Sequence, residues 1–107
     1  MITRSVLDTE YLPFSVELEV DGQPYNPTGD VVQFAFMPAP PSADPGPSDW
    51  HAGSWDTVAP GKYNAQVLVG PNNGGVALTK GIAYKVWVRI ADSPEIVVYE
   101  ADVLQIV

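Results

Sequence analysis

The stretch Gly81–Ala91, "GIAYKVWVRIA", decides the fold of this chain. Two sets of side chains alternate along it. One set is apolar and comprises Ile82, Tyr84, Val86, Val88 and Ile90; the other comprises Lys85, Trp87 and Arg89. A period of two is typical of a β-strand with one buried face and one face in water. The sequence therefore predicts a strand here, with Trp87 on the outward side.

The same alternation recurs in four other runs. They are "YLPFSVELEV" (11–20), "DVVQFAFM" (30–37), "GKYNAQVLV" (61–69) and "EIVVYEADVLQIV" (95–107). Pro13 cannot donate a ladder hydrogen bond, which predicts an edge position for the first run. The last run changes phase, and a β-bulge near Asp102–Leu104 would reconcile its two halves.

Eleven prolines and nine glycines leave no uninterrupted segment with a helical apolar stripe. Turn-forming residues separate the runs, and "GPNNGG" (70–75) is predicted to be a hairpin turn. Short strands in "ITRSVL" (2–7) and "SWDTV" (54–58) would bring the total to six or seven. We therefore predict a single all-β domain over residues 1–107. Its expected architecture is an antiparallel immunoglobulin-like β-sandwich of about seven strands.

A loop rich in proline and tryptophan is predicted at residues 38–54, within the stretch "MPAPPSADPGPSDWHAGSWDT" (37–57). Its prolines lower the entropy lost when a long loop becomes ordered. One interpretation is that Trp50 or Trp55 folds over Trp87 and fixes the loop to the sheet, since buried aromatic side chains are strongly stabilising. Another is that these side chains contact a partner protein.

Thirteen acidic and five scattered basic residues give a net charge of −8. Such a surface repels phosphate backbones and anionic lipid, so we expect neither a nucleic-acid nor a membrane partner. The absence of cysteine excludes disulfides and thiolate metal sites. The sequence lacks a run of about 20 apolar residues and an apolar leader, which favours folding in a cytoplasm.

The candidate catalytic and metal-binding residues lie around the single histidine, His51. A hydrolase would need a nucleophile from Ser48 or Ser54 and an orienting carboxylate from Asp49 or Asp56. Nothing in their spacing fixes that geometry. One histidine is too few for zinc, and Asp44, Asp49 and Asp56 do not form a calcium-loop pattern. We therefore expect no enzymatic activity, no cofactor and no metal.

Several segments resemble small structural proteins that tailed phages of actinobacteria encode among their head and tail genes. These segments are "TGDVVQFAFMP", "DW…GSW", "GKYNAQVLVGP", "LTKGIAYKVWVRIADSPEIVV" and "ADVLQI". The chain is similar, more loosely, to the N-terminal β-sandwich of upper baseplate proteins of other tailed phages. The resemblance covers about residues 28–107 and carries no catalytic residues.

The resemblance implies a non-enzymatic virion structural protein on the capsid exterior or at the head–tail junction. Its partners would be other virion proteins and copies of itself, bound through strand edges and hydrophobic contacts. The candidate contact residues are Trp50, His51, Trp55, Trp87 and Tyr99. The alternative is a carbohydrate-binding module in which Trp50, Trp55 and Trp87 form a stacking platform.

Overall fold

The computed structural model describes residues 1–16, 19–20, 23–24, 27–39, 43–59, 62–92 and 95–107. These residues form ten strands and one short 3₁₀ turn, Pro27–Gly29. The strands are β1 (Ile2–Arg4), β2 (Glu10–Val16), β3 (Glu19–Val20), β4 (Gln23–Pro24), β5 (Val31–Ala39), β6 (His51–Ala52), β7 (Ser54–Ala59), β8 (Lys62–Val69), β9 (Ala83–Asp92) and β10 (Glu95–Ile106). The described part of the chain is all-β, as the sequence predicts, and it contains no helix with the length and hydropathy needed to span a membrane.

Two sheets make up the domain, and β3 and β4 pair separately as a two-stranded ribbon. The larger sheet has the order β1-β10-β9-β5-β6, and the smaller has the order β2-β8-β7. All pairings are antiparallel except that of β1 with β10, which is parallel. Strand β2 lies at an edge, which confirms the position that Pro13 predicts.

One hydrophobic core joins the facing sides of the two sheets. Phe34 on β5 is completely buried, and its ring centroid lies 5.5 Å from that of Phe14 on β2. Around this pair the inward parity of β2, β5, β8 and β9 is largely buried, as the alternation predicts, whereas Val97 on the inward parity of β10 is exposed. The buried set includes Leu12, Val16, Val32, Ala65, Val67, Val86, Val88, Ile90, Leu104 and Ile106. The period of two therefore identifies the core correctly.

The chain crosses from the larger sheet to the smaller at Gly53, between β6 and β7. Gly53 N donates a 2.9 Å hydrogen bond to the Val32 carbonyl oxygen. A Cβ at this position would lie 2.5 Å from the Phe34 ring and 2.9 Å from the Gln66 carbonyl oxygen. Only glycine fits this crossing, because any side chain would displace the central aromatic residue of the core.

The predicted loop at 38–54 is too long at both ends. Pro38 and Ala39 belong to β5, and residues 51–52 and Ser54 belong to β6 and β7. In the described part of the chain, β6 pairs only with Gln33 and Phe34 of β5. The edge of β5 that faces β6 is therefore unpaired at Pro38, where the missing N–H of proline is tolerated. Residues 40–42 lie outside the described part of the chain.

Other differences concern strand count and connections. The count exceeds seven because β3, β4 and β6 are two-residue strands that no alternating pattern can reveal. The prediction that residues 70–75 form a hairpin turn is wrong, since β8 and β9 lie in different sheets. The bulge in β10 is confirmed, slightly earlier than predicted, between Glu100 and Asp102. Parts of the turn-forming stretches that separate the other runs, residues 21–30, 59–62 and 91–95, lie outside the described residues.

Candidate interaction site

Trp87 lies on the outer face of the larger sheet, on the side the sequence predicts. In register it stands between Ala35 of β5 and Glu100 of β10. Ala35 is fully buried although it faces away from the core. The indole Nε1 of Trp87 is buried and has no hydrogen-bond partner among the described residues. The centre of this outer face is therefore covered, with one polar atom left unsatisfied.

Arg89 links Trp50 to this outer face. Its guanidinium carbon lies 4.5 Å from the centroid of the Trp50 ring, within the range of a cation–π contact. Its Nε and Nη2 atoms both donate to Oε1 of Gln33, the Nε bond at 2.9 Å. Arg89 is thus held from two sides and fixes the ring of Trp50. No indole stacks directly on another in the described part of the chain. Trp50 packs on the guanidinium of Arg89 and not on Trp87 as expected.

Trp55 lies in the smaller sheet, away from this outer face. It packs against the core from β7, and its Nε1 donates a 2.9 Å hydrogen bond to the carbonyl oxygen of Asp30. This contact joins β7 to the chain just before β5. The structure therefore brings Trp50 and Trp87 to one face and separates Trp55 from both.

Replacing Trp55 with phenylalanine should lower the free energy of unfolding by about 1 kcal/mol more than the same change at Trp87. Trp55→Phe removes the donor of an existing hydrogen bond, whereas Trp87→Phe removes a buried donor that has no partner among the described residues. Both changes delete the same atoms, so each controls for the other. Urea denaturation followed by circular dichroism measures the difference, and equal losses would contradict the assigned hydrogen bond.

His51 lies at the mouth of an open groove of about 680 Å³ beside the crossing from β6 to β7. Its ring centroid is 6.2 Å from that of Phe36, which forms part of the groove with Trp50 and Tyr84. The Tyr84 hydroxyl accepts a 2.9 Å hydrogen bond from Thr79 N. Gly74–Leu78 line the groove as well. The groove presents more polar than apolar surface in spite of these side chains, and His51 is exposed at its rim.

Two of the possible catalytic partners of His51, Asp49 and Ser54, make other contacts. Asp49 Oδ2 accepts a 2.7 Å hydrogen bond from Gly46 N and so stabilises the turn at 46–49. Ser54 Oγ accepts a 3.2 Å hydrogen bond from Gln66 Nε2. No hydrogen bond joins His51 to a serine or a carboxylate among the described residues. They also contain no group of three or more histidine, aspartate or glutamate side chains placed to hold a metal ion.

Tyr99 lies on the inward side of β10 and is half-buried against the core. Burial raises the pKa of its hydroxyl above the ordinary value of 10.0. Tyr99 is paired in register with Val88, so its side chain points away from Trp87 and Trp50. It is therefore separate from the outer face.

An unpaired strand edge lies beside Tyr99. Strand β1 pairs only with Leu104–Ile106, so no described strand covers the other edge of β10 from Ile96 to Ala101. We call this segment the open edge. Its first three side chains are apolar and exposed, Ile96 by 62%, Val97 by 42% and Val98 by 45%. Ile96 and Val98 lie on the outward side of β10, where hydrophobic contacts are expected, whereas the alternation of the strand places Val97 on the inward side and does not predict its exposure.

Comparisons of the chain with protein-family models, curated proteins and solved structures find no match.

Proposed function

We propose that this chain is a non-enzymatic structural protein of a tailed-phage particle. It would assemble on the capsid exterior or at the head–tail junction. Its partners would be neighbouring virion proteins and further copies of itself. The open edge is the observation that carries this proposal. Monomeric proteins usually protect such edges with charge, proline or a covering segment, because exposed backbone N–H and C=O groups and apolar side chains recruit another strand.

Two features of the described residues support a passive role in assembly. Arg89 contacts the ring of Trp50 and donates to Gln33. Trp55 donates a hydrogen bond to the carbonyl oxygen of Asp30. These aromatic side chains stiffen the sheet. The net charge of −8 favours a position away from packaged DNA.

We further propose that the domain is an immunoglobulin-like sandwich. The smaller sheet, β2-β8-β7, has the order expected of strands B, E and D. The strands β10-β9-β5-β6 of the larger sheet have the order expected of G, F, C and C′. In this assignment β1 adds a parallel strand beside G and leaves the rest of the G edge open. The absence of cysteine removes the disulfide that links B to F in antibody domains.

Mass spectrometry of purified particles of the phage that encodes this chain tests the proposal. We expect the intact polypeptide in multiple copies per particle after banding in a density gradient. A non-structural phage protein found in the infected-cell lysate serves as the control for contamination. Absence of the chain from particles that are complete and infectious would contradict a structural role.

A further inference from the structure

We propose that two copies of this chain pair through their open edges, antiparallel and about a two-fold axis at Val97. This deepens the proposed function, on which it rests, by naming a partner and a register. The result would be a continuous ten-stranded sheet, with the two smaller sheets on the same side.

The register follows from the apolar residues of the edge. With the axis at Val97, Val97 faces its own copy, and Ile96 of one chain lies opposite Val98 of the other. Every exposed apolar side chain of the edge then meets another on the same face of the sheet. An axis at Val98 would instead place Ile96 opposite Glu100. A two-fold interface of this kind needs one self-complementary segment and no second surface.

Charge is compatible with this pairing in spite of the net charge of −8. Ile96–Tyr99 contains no charged residue. Glu100 lies 3.4 Å from Lys85 Nζ and is therefore paired within its own chain. In the proposed register the two Glu100 residues lie just beyond opposite ends of the paired segment, roughly 20 Å apart. No like charges meet at the centre.

The proposed pairing is also compatible with the contacts that the rest of β10 makes along the same edge. The amino terminus of Met1 lies 3.5 Å from Asp102 Oδ1, and β1 occupies the same edge from Leu104 onward. A second copy paired about Val97 covers Glu95–Tyr99 and stops before this obstruction. The interface is small, so we expect a weak dimer with a dissociation constant on the order of 0.1 mM, which repetition within an assembly would strengthen.

A single introduced cysteine tests the register, because the chain has no cysteine of its own. In Val97→Cys the two thiols face each other across the axis, at a Cα separation of about 4.5–5.5 Å that suits a disulfide. We expect mild oxidation to give a covalent dimer about tenfold faster than in Val31→Cys. Val31 is the matched control, since it is 61% exposed on β5 of the same sheet but lies away from the open edge.

Two further experiments separate pairing at this edge from other self-association. A mixture of Ile96→Cys and Val98→Cys should yield mixed disulfides faster than either variant alone. Val97→Lys should raise the dissociation constant measured by sedimentation equilibrium about tenfold, because two lysines then face each other. Val31→Lys should leave it unchanged. Circular dichroism confirms that each variant is folded.

The proposal is overturned if Val97→Cys oxidises no faster than Val31→Cys, or if Val97→Lys associates like the unmodified chain. A dimer that persists in Val97→Lys would place the contact on another surface. These results are independent of the particle test. If the chain is found in particles but does not crosslink at residue 97, the structural role stands and the proposed dimer is wrong. If it crosslinks at residue 97 but is absent from particles, the dimer stands and the structural role is wrong.

Discussion

Phe34→Ala is expected to lower the free energy of unfolding by about 3–5 kcal/mol. Phe34 is completely buried at the centre of the core, where it contacts Phe14 from the opposing sheet. Removing the ring leaves a cavity between two sheets whose backbones are fixed by their ladders, so the space cannot close completely. Domains of this size have a total stability of about 5–15 kcal/mol, and this variant would lose a large part of it.

Urea denaturation at 25 °C, followed by tryptophan fluorescence and circular dichroism, measures this loss. Val31→Ala is the matched control on the same strand. Val31 is 61% exposed on the outer face, and we expect a change within about 0.5 kcal/mol. A loss below about 1 kcal/mol in Phe34→Ala would mean that the two sheets do not share the core described above.

The core could be predicted from the sequence because burial in a sheet depends on local parity. Val86, Val88 and Ile90 are buried, while Lys85, Trp87 and Arg89 are less so, as the alternation of Gly81–Ala91 indicates. The phase change in β10 predicts its bulge for the same reason. Such features need only the neighbouring residues along one strand.

Strand partners could not be predicted, because they depend on contacts between distant segments. The glycines and asparagines of residues 70–75 are typical of a hairpin turn, yet they connect β8 of one sheet to β9 of the other. The parallel pairing of β1 with β10 joins the two ends of the chain. Turn composition limits the local backbone conformation and carries no information about which sheet receives the next strand.

The candidate contact residues likewise divide into positions that local parity predicts and contacts between distant segments that it does not. The outward position of Trp87 follows from parity, whereas the contact of Arg89 with Trp50 and the bond from Trp55 to Asp30 join residues far apart in sequence. The open edge is more difficult to predict from the sequence. Its lack of a strand partner depends on which residues of β10 the distant strand β1 pairs with, so Ile96, Val97 and Val98 alone do not predict it.

Gly70→Ala should destabilise the chain by about 3 kcal/mol or more, through two independent effects. Gly70 has φ = +136°, a conformation that a residue with a Cβ rarely adopts. An added Cβ would also lie 2.3 Å from the Asp8 carbonyl oxygen and 2.5 Å from Thr9 Cα. Both are backbone atoms, so no side-chain rotation can relieve the overlap.

The surrounding contacts prevent the backbone from moving away. Gly70 N donates a 2.9 Å hydrogen bond to the Val76 carbonyl oxygen, and Val76 N donates to the Leu68 carbonyl oxygen at 2.9 Å. On the other side, Glu10 is paired with Val69 at the start of β2. Displacing Asp8 and Thr9 would therefore disturb the ladder between β2 and β8.

Gly74→Ala separates the two effects in Gly70→Ala. Gly74 has φ = +78°, but nothing lies within 4 Å of its added Cβ. We expect a loss of only about 1–2 kcal/mol there, from backbone strain alone. Thermal and urea unfolding of both variants give the comparison. Equal losses would show that the overlap with Asp8 and Thr9 is relieved, and that the segment before β2 can shift while its ladder with β8 stays intact.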